Sequence, residues 1–169
     1  LIMDEKGFTA TALNALEFVS KNDALLTLGI KPTRPDTGYG YIQYDIEDQI
    51  DTVFRVRTFS EKPSLELART FLKSGDFLWN AGIFIWNVKT IKAALEKYLP
   101  ELNDVFVQAK EAYNTPKESE LINQLYAQCT NISIDYGIME KAKNVYVMGA
   151  DFGWSDLGTW GSLYDHISH

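Results

Sequence analysis

The sequence predicts an α/β fold, a mixed or parallel sheet flanked by helices, and three observations carry that expectation. Short runs of apolar and β-branched residues, of strand length, alternate with segments whose apolar residues recur at helical period. Of the 169 residues, 46% are apolar and 23% charged, which supplies a substantial core and excludes a disordered or collagen-like chain. No repeat, low-complexity tract or flexible linker breaks the pattern, so residues 1–169 read as a single unit.

Phe8, Ala12, Ala15, Leu16 and Val19 fall on one helical face, and Ala24 to Ile30 is short and apolar enough for a buried strand. Lys31 to Gly40 carries Pro32, Pro35, Gly38 and Gly40, punctuation that neither a helix nor a central strand tolerates, so it is a loop. Tyr41 to Tyr44 and Val53 to Phe59 are aromatic and β-branched, and the acidic stretch Asp45 to Asp51 between them reads as a turn or hairpin tip. Leu65, Ala68 and Leu72 then mark a helix with Ser64 as N-cap and Gly75 just past its end.

Gly82 to Asn87 reads as a buried strand, feeding a helix over Val88, Ile91, Leu95 and Tyr98 that stops at Pro100. Leu102 to Tyr113 predicts a further helix, and Leu121, Leu125 and Cys129 one more beginning near Lys117, with Cys129 on its apolar face. Asp135 to Lys143 predicts a short helix with Asp135 as its N-cap, Asn144 to Met148 a strand, and Gly158 to His166 a last short helix or loop.

With 16 Lys and Arg against 23 Asp and Glu the net charge is -7, a mean field that repels phosphate backbones and anionic membranes, so neither nucleic acid nor membrane is an expected partner. Apolar runs such as Ala81 to Trp86 fall far short of the ~20 residues that cross a bilayer. Cys129 is the only cysteine, which fits a reducing cytoplasm. The chain starts at Leu1 with no basic, then apolar, leader, and reads as processed or truncated.

Open α/β sheets bind ligands beyond the carboxyl ends of their strands, and four segments with suitable chemistry fall at strand ends or in glycine loops. Thr37 to Ile42 sets Gly38 and Gly40 around Tyr39, leaving backbone open to close approach, or is a plain turn. Glu61-Lys62-Pro63 sits between a strand and a helix, where Lys62 suits a phosphate and Glu61 accepts from sugar hydroxyls, or both are simply solvated. Trp79-Asn80-Ala81-Gly82 offers an amide beside small residues, again a site or a turn. In Phe152 to Trp160, Asp156 is either a single carboxylate ligand for Mg2+ or the cap of a short helix beginning at Leu157. His166 and His169, with Asp165, read as a solvated tail rather than a metal site. No Ser-His-Asp or Cys-His grouping and no P-loop is readable, so hydrolase and kinase chemistry have no support.

Taken in order, Gly29 to Ile42, Glu61-Lys62-Pro63, Trp79 to Phe84, Ser133 to Lys141 and Gly153 to Trp160 resemble the mannose-1-phosphate guanylyltransferases, over nearly all of Leu1 to Trp160. The long first and last motifs distinguish this resemblance from thymidylyl- and uridylyltransferases, which share chiefly the Glu-Lys-Pro element. It implies the C-terminal portion of a nucleotide-diphospho-sugar transferase fold, Rossmann-like, and formation of GDP-mannose and pyrophosphate from GTP and mannose 1-phosphate with Mg2+. By that resemblance Lys62 and Asp156 are catalytic, Gly40, Glu61, Lys62 and Asn80 bind the sugar phosphate, and Asp156 holds the metal. The family's glycine-rich triphosphate segment and its first metal Asp would lie upstream of Leu1. Its occasional cupin-like isomerase or left-handed β-helix domain is not expected in this chain either. The expected unit is therefore the acceptor half of a GTP-binding enzyme, cytoplasmic and with a homodimer allowed, inactive alone. The competing expectation is a non-catalytic sugar-phosphate-binding or regulatory module related to such enzymes.

Overall fold

A computed structural model of the chain describes residues 1–158 and 160. Helices α1 (Glu5–Lys21), α2 (Leu65–Ser74), α3 (Val88–Tyr98), α4 (Pro100–Gln108) and α5 (Glu118–Tyr126) are interspersed with strands β1 (Leu25–Ile30), β2 (Tyr41–Ile50), β3 (Val53–Ser60), β4 (Phe77–Ile85) and β5 (Val145–Ala150). Where the sequence reads as one unit over 1–169, the backbone gathers into two compact units, Leu1–Asn87 with the chain from Asn144 onward, and Val88–Lys143.

In the larger unit the strands close in the order β1-β4-β2-β3-β5. The sheet is mixed, as expected, but only β1 and β5 run parallel, while β1–β4, β2–β4, β2–β3 and β3–β5 are antiparallel. β1 is flanked on both edges and almost wholly buried, which is why it reads as a continuous apolar run without alternation. Ala15, Phe18 and Val19 of α1 pack with Leu26 and Leu28 of β1, Met148 of β5 and Phe152. Each of the larger of these side chains, the phenylalanines, leucines, valine and methionine, contributes about 1.5–3 kcal/mol when removed from water. A second cluster joins Tyr41, Phe77 and Trp79 to Ala68 of α2, whose start is capped by Ser64 Oγ accepting from Leu67 N at 3.3 Å, and whose C-cap is Gly75. Asp4 caps α1 by accepting from Gly7 N at 3.0 Å.

Several boundaries move, each for a physical reason. The acidic stretch Asp45 to Asp51 is not a tip: β2 runs through it to Ile50, with Asp45 paired to Arg57 at 2.8 Å, and only Asp51, at φ 54, and Thr52 turn the chain into β3. Charges on a hairpin arm that stands in water cost little, so acidity does not end a strand there. Strand β4 begins at Phe77, not Gly82, because the glycine is absorbed as an irregularity in the pairing with β1.

In the smaller unit, α4 starts at its proline and gives way to turns after Gln108, well short of Tyr113. Helix α5 stops at Tyr126, so Cys129 lies beyond it, half-buried, rather than on a buried helix face. Asp135–Met139 forms a π-helical turn that buries Gly137, Ile138 and Met139; Asp135 is its first residue rather than its cap, and Ser133 Oγ accepts from Tyr136 N at 3.4 Å. The element expected over 158–166 lies outside the described residues apart from Gly158 and Trp160, and so do Asp165, His166 and His169.

Candidate functional site

The centre of the site is Gly40, the residue that leads from the proline-rich loop into β2. A Cβ built on it would run into Glu61 Oε2 and stand 3.3 Å from Asn80 Cβ, so the glycine lets the two side chains close over this backbone as they do. Backbone pairing sets the third position, since Asn80 N donates to Gly40 O at 2.8 Å. Three of the sequence's candidate segments thus meet at one point: the loop before β2, the link from β3 to α2, and β4.

Asn80 occupies an irregular stretch of β4, not the turn that its neighbours Ala81 and Gly82 allow. Pairing with β1 runs Ile30 to Trp79 and Gly29 to Asn80, then slips before Thr27 meets Phe84. Gly82 takes up the slip at φ 69, a conformation glycine adopts without steric cost. Its N–H donates to Asn80 Oδ1 at 3.1 Å, and the Thr27 hydroxyl lies 2.9 Å from the same oxygen and 3.2 Å from Ile83 O. Such bulges re-aim side chains beside ligand sites.

Lys62 follows Glu61 between β3 and α2 with φ 47, and its Nζ donates to Glu61 Oε1 at 2.9 Å. The two ends of this pair differ in exposure: the Lys62 side chain is 62% exposed and that of Glu61 only 10%. The ammonium is therefore at the solvent edge, while the carboxylate it pairs with is largely withdrawn from solvent.

Beside this group the loop builds an aromatic wall. Tyr39 stands edge-on to Trp79 at 5.1 Å and to Trp154 at 5.5 Å, and the Arg34 guanidinium lies 5.3 Å from the Trp79 ring centre while pairing with Asp36 at 2.9 Å. Burial first, then the Asp36 carboxylate, pushes the Tyr39 hydroxyl above its ordinary value, and Asp156 acts on it in the same direction. Asp156 is exposed, and its Oδ1 accepts from Gly158 N at 3.0 Å. No helix begins at Leu157, so the helix-cap alternative for Asp156 is not what the chain adopts. The segment is held by the start of the chain: Leu1 and Ser155 exchange two backbone bonds, and Ile2 bridges Trp154.

Among the described residues no three His, Cys, Asp or Glu side chains converge as a metal cage. A lone exposed carboxylate still fits Mg2+, which is commonly held by one or two carboxylates with phosphate oxygens completing the shell. A cleft of about 500 Å3 between α1 and the β2–β3 tip, lined by Asn14, Glu17, Lys21, Asp51 and Thr52, contains none of these residues. The structure brings Gly40, Glu61 and Asn80 together, with Lys62 on Glu61, and relates Asp156 to them only through Tyr39 and the aromatic wall. Thr27, Arg34 and Trp154 join the group without having been singled out. A threonine in an otherwise apolar strand was the one available signal for Thr27.

The chain matches the nucleotidyl transferase family over residues 4–169. It is 34% identical to a mannose-1-phosphate guanylyltransferase of Escherichia coli strain K12, over 100% of this chain and 36% of that protein. It is 36% identical to the xanthan biosynthesis protein XanB of Xanthomonas campestris pv. campestris, over 98% of this chain and 35% of that one. Among solved structures it resembles a protein of Thermus thermophilus named as a mannose-1-phosphate geranyltransferase, with TM-score 0.87 and 30% identity over 100% of this chain and 47% of that chain. A mannose-6-phosphate isomerase from Helicobacter pylori superposes with TM-score 0.78 and 27% identity, over 92% of this chain and 61% of that one. The chain spans about a third of the length of the curated relatives it matches.

Proposed function

The chain belongs to the nucleotidyl transferase family, and we propose that it is the sugar-phosphate half of an enzyme that makes GDP-mannose and pyrophosphate from GTP and mannose 1-phosphate. The observation that carries this reading is the closure of Glu61 and Asn80 over Gly40 with Lys62 at the rim. A carboxylate accepts from sugar hydroxyls, an amide offers both senses of hydrogen bond, a glycine leaves room for a ring, and a cation at the edge meets the phosphate.

In the reaction an oxygen of mannose 1-phosphate attacks the α-phosphorus of GTP in line; a P–O bond forms, the bond to pyrophosphate breaks, and pyrophosphate leaves with its electron pair. The task of this chain is to hold the attacking phosphate still, with Lys62 fixing its charge and Glu61 and Asn80 fixing the sugar, so positioning supplies the rate. Asp156 would hold Mg2+, whose chemistry there is to neutralise charge on the phosphates. The resemblance sets a companion metal carboxylate a couple of residues before Leu1.

A pyrophosphate-release assay tests the reading. The 169 residues should give background with GTP and mannose 1-phosphate, and a longer protein carrying them should turn over. Turnover by the chain alone contradicts the division of labour. A longer protein that binds mannose 1-phosphate without ever releasing pyrophosphate is the non-catalytic binding module instead.

A further inference from the structure

Tyr39 stands where three segments of the site meet. It precedes Gly40 in the chain, and its ring lies edge-on both to Trp79, the residue before Asn80, at 5.1 Å, and to Trp154, two residues before Asp156, at 5.5 Å. Each partner is itself packed. Trp79 belongs to the cluster of Tyr41, Phe77 and Ala68, while Trp154 packs against the cluster that joins α1 to β1, so the Tyr39 ring bridges one cluster to the other. Among the described residues the backbone bonds of 152–158 run to the chain start, at Leu1, Met3 and Asp4, and none reaches the loop 31–40. Burial first, Asp36 second and the Asp156 carboxylate as well raise the Tyr39 hydroxyl, so it stays neutral near pH 7 and the ring, not a charge, makes these contacts.

We propose that Tyr39 is a positioning residue: its ring, set between Trp79 and Trp154, fixes the Asp156 segment against the loop that leads into Gly40, and so sets the spacing between the carboxylate proposed for Mg2+ and the sugar-phosphate group. The proposal rests on that reading of the site. In-line attack requires the attacking phosphate and the charge that neutralises it to be held at one distance, and a misplacement of about 1 Å costs on the order of 100-fold. Edge-on ring pairs suit the task, because aromatic rings prefer that geometry at centroid separations of about 4.5–7 Å. An aliphatic side chain of similar size fills the space without the directional preference.

The test compares Tyr39→Leu, which loses the ring, with Tyr39→Phe, which keeps it. In the 169-residue chain labelled with 15N, exchange of the Ser155 and Gly158 amides with water is followed by NMR, with the amides of β1 and β5 as the control for overall stability. In a longer, active protein the Mg2+ concentration for half-maximal turnover is measured beside kcat. Tyr39→Leu should speed exchange at Ser155 and Gly158 several-fold while β1 and β5 stay as in wild type. It should also raise the Mg2+ requirement by roughly two- to tenfold, the scale of one aromatic pair, and Tyr39→Phe should restore both readouts. A ring that only stabilised the fold would lower the amount of active protein and leave the Mg2+ requirement where it was. Exchange that is unchanged in Tyr39→Leu, or that speeds equally in β1 and β5, overturns the proposal, and so does a wild-type Mg2+ requirement in Tyr39→Leu when Asp156→Asn raises it. If Asp156→Asn leaves that requirement unmoved, or the longer protein never turns over, the metal reading fails instead, and exchange decides Tyr39: faster at Ser155 and Gly158 alone and restored by Phe, it places the segment; unmoved, it does not. Should Tyr39→Leu not fold, Trp154→Leu against Trp154→Phe removes and restores the same contact from its other side.

Discussion

Asp156 poses the sharpest question at the scale of single residues. Its Oδ1 already accepts from Gly158 N, and an asparagine accepts there equally well, so Asp156→Asn should leave the local turn and the melting temperature unchanged. On the proposed metal role, the same change in a longer, active protein would remove a charged oxygen ligand, and turnover should fall by orders of magnitude with a raised Mg2+ requirement. Near wild-type turnover at low Mg2+ would remove Asp156 from the metal site. Glu61, Lys62 and Asn80, the proposed sugar-phosphate group, stand out in the sequence because they are charged or amide side chains near Pro or Gly, set against apolar strands, but their roles come from the resemblance. Thr27 does not, since a β-branched hydroxyl in a strand is ordinary until its partner across the sheet is known. The wall of Tyr39, Trp79 and Trp154 was likewise hidden, for it joins three segments far apart in the chain.

At the scale of elements, helices with local signals were legible and irregular strands were not. Ser64 and Gly75 bracket α2 where their chemistry places them, because capping is settled within one turn. The β4 bulge depends on pairing with β1, far earlier in the chain, and so left only an ambiguous Gly82. Gly82→Ala tests that bulge: nothing lies within 4 Å of the added methyl, so the loss should be conformational alone, about 1 kcal/mol in urea unfolding. A variant as stable as wild type would mean that the left-handed residue carries no cost. A second device ties β2 to the turn between α2 and β4, where Gln43 Nε2 donates to Asp76 Oδ2 at 2.7 Å. That bond, with help from Ser74, lowers the Asp76 carboxyl below its ordinary value. Its contribution is present above about pH 4, the unfolded value, and is lost as pH falls through the lower native one. Melting temperature should therefore fall with acidification more steeply in wild type than in Asp76→Asn, and parallel curves would show the bond to be inert.

For the whole molecule, the alternation of strands and helices announced an α/β fold. It did not announce that the mixed sheet is mostly antiparallel, because strand direction depends on how loops such as Lys31 to Gly40 return the chain, which no local pattern records. The helical stretch Val88–Lys143 was readable as helices but not as a compact unit of its own. The central claim is that the larger unit holds an acceptor site for a sugar phosphate, and calorimetric titration of the 169-residue chain tests it most directly. Mannose 1-phosphate should bind saturably at one site, and Lys62→Ala should weaken it by the roughly 1.5–3 kcal/mol of a charge-assisted contact while the chain stays folded. GTP should bind far less well than mannose 1-phosphate. No binding of mannose 1-phosphate, or binding that Lys62→Ala leaves intact, would contradict the account.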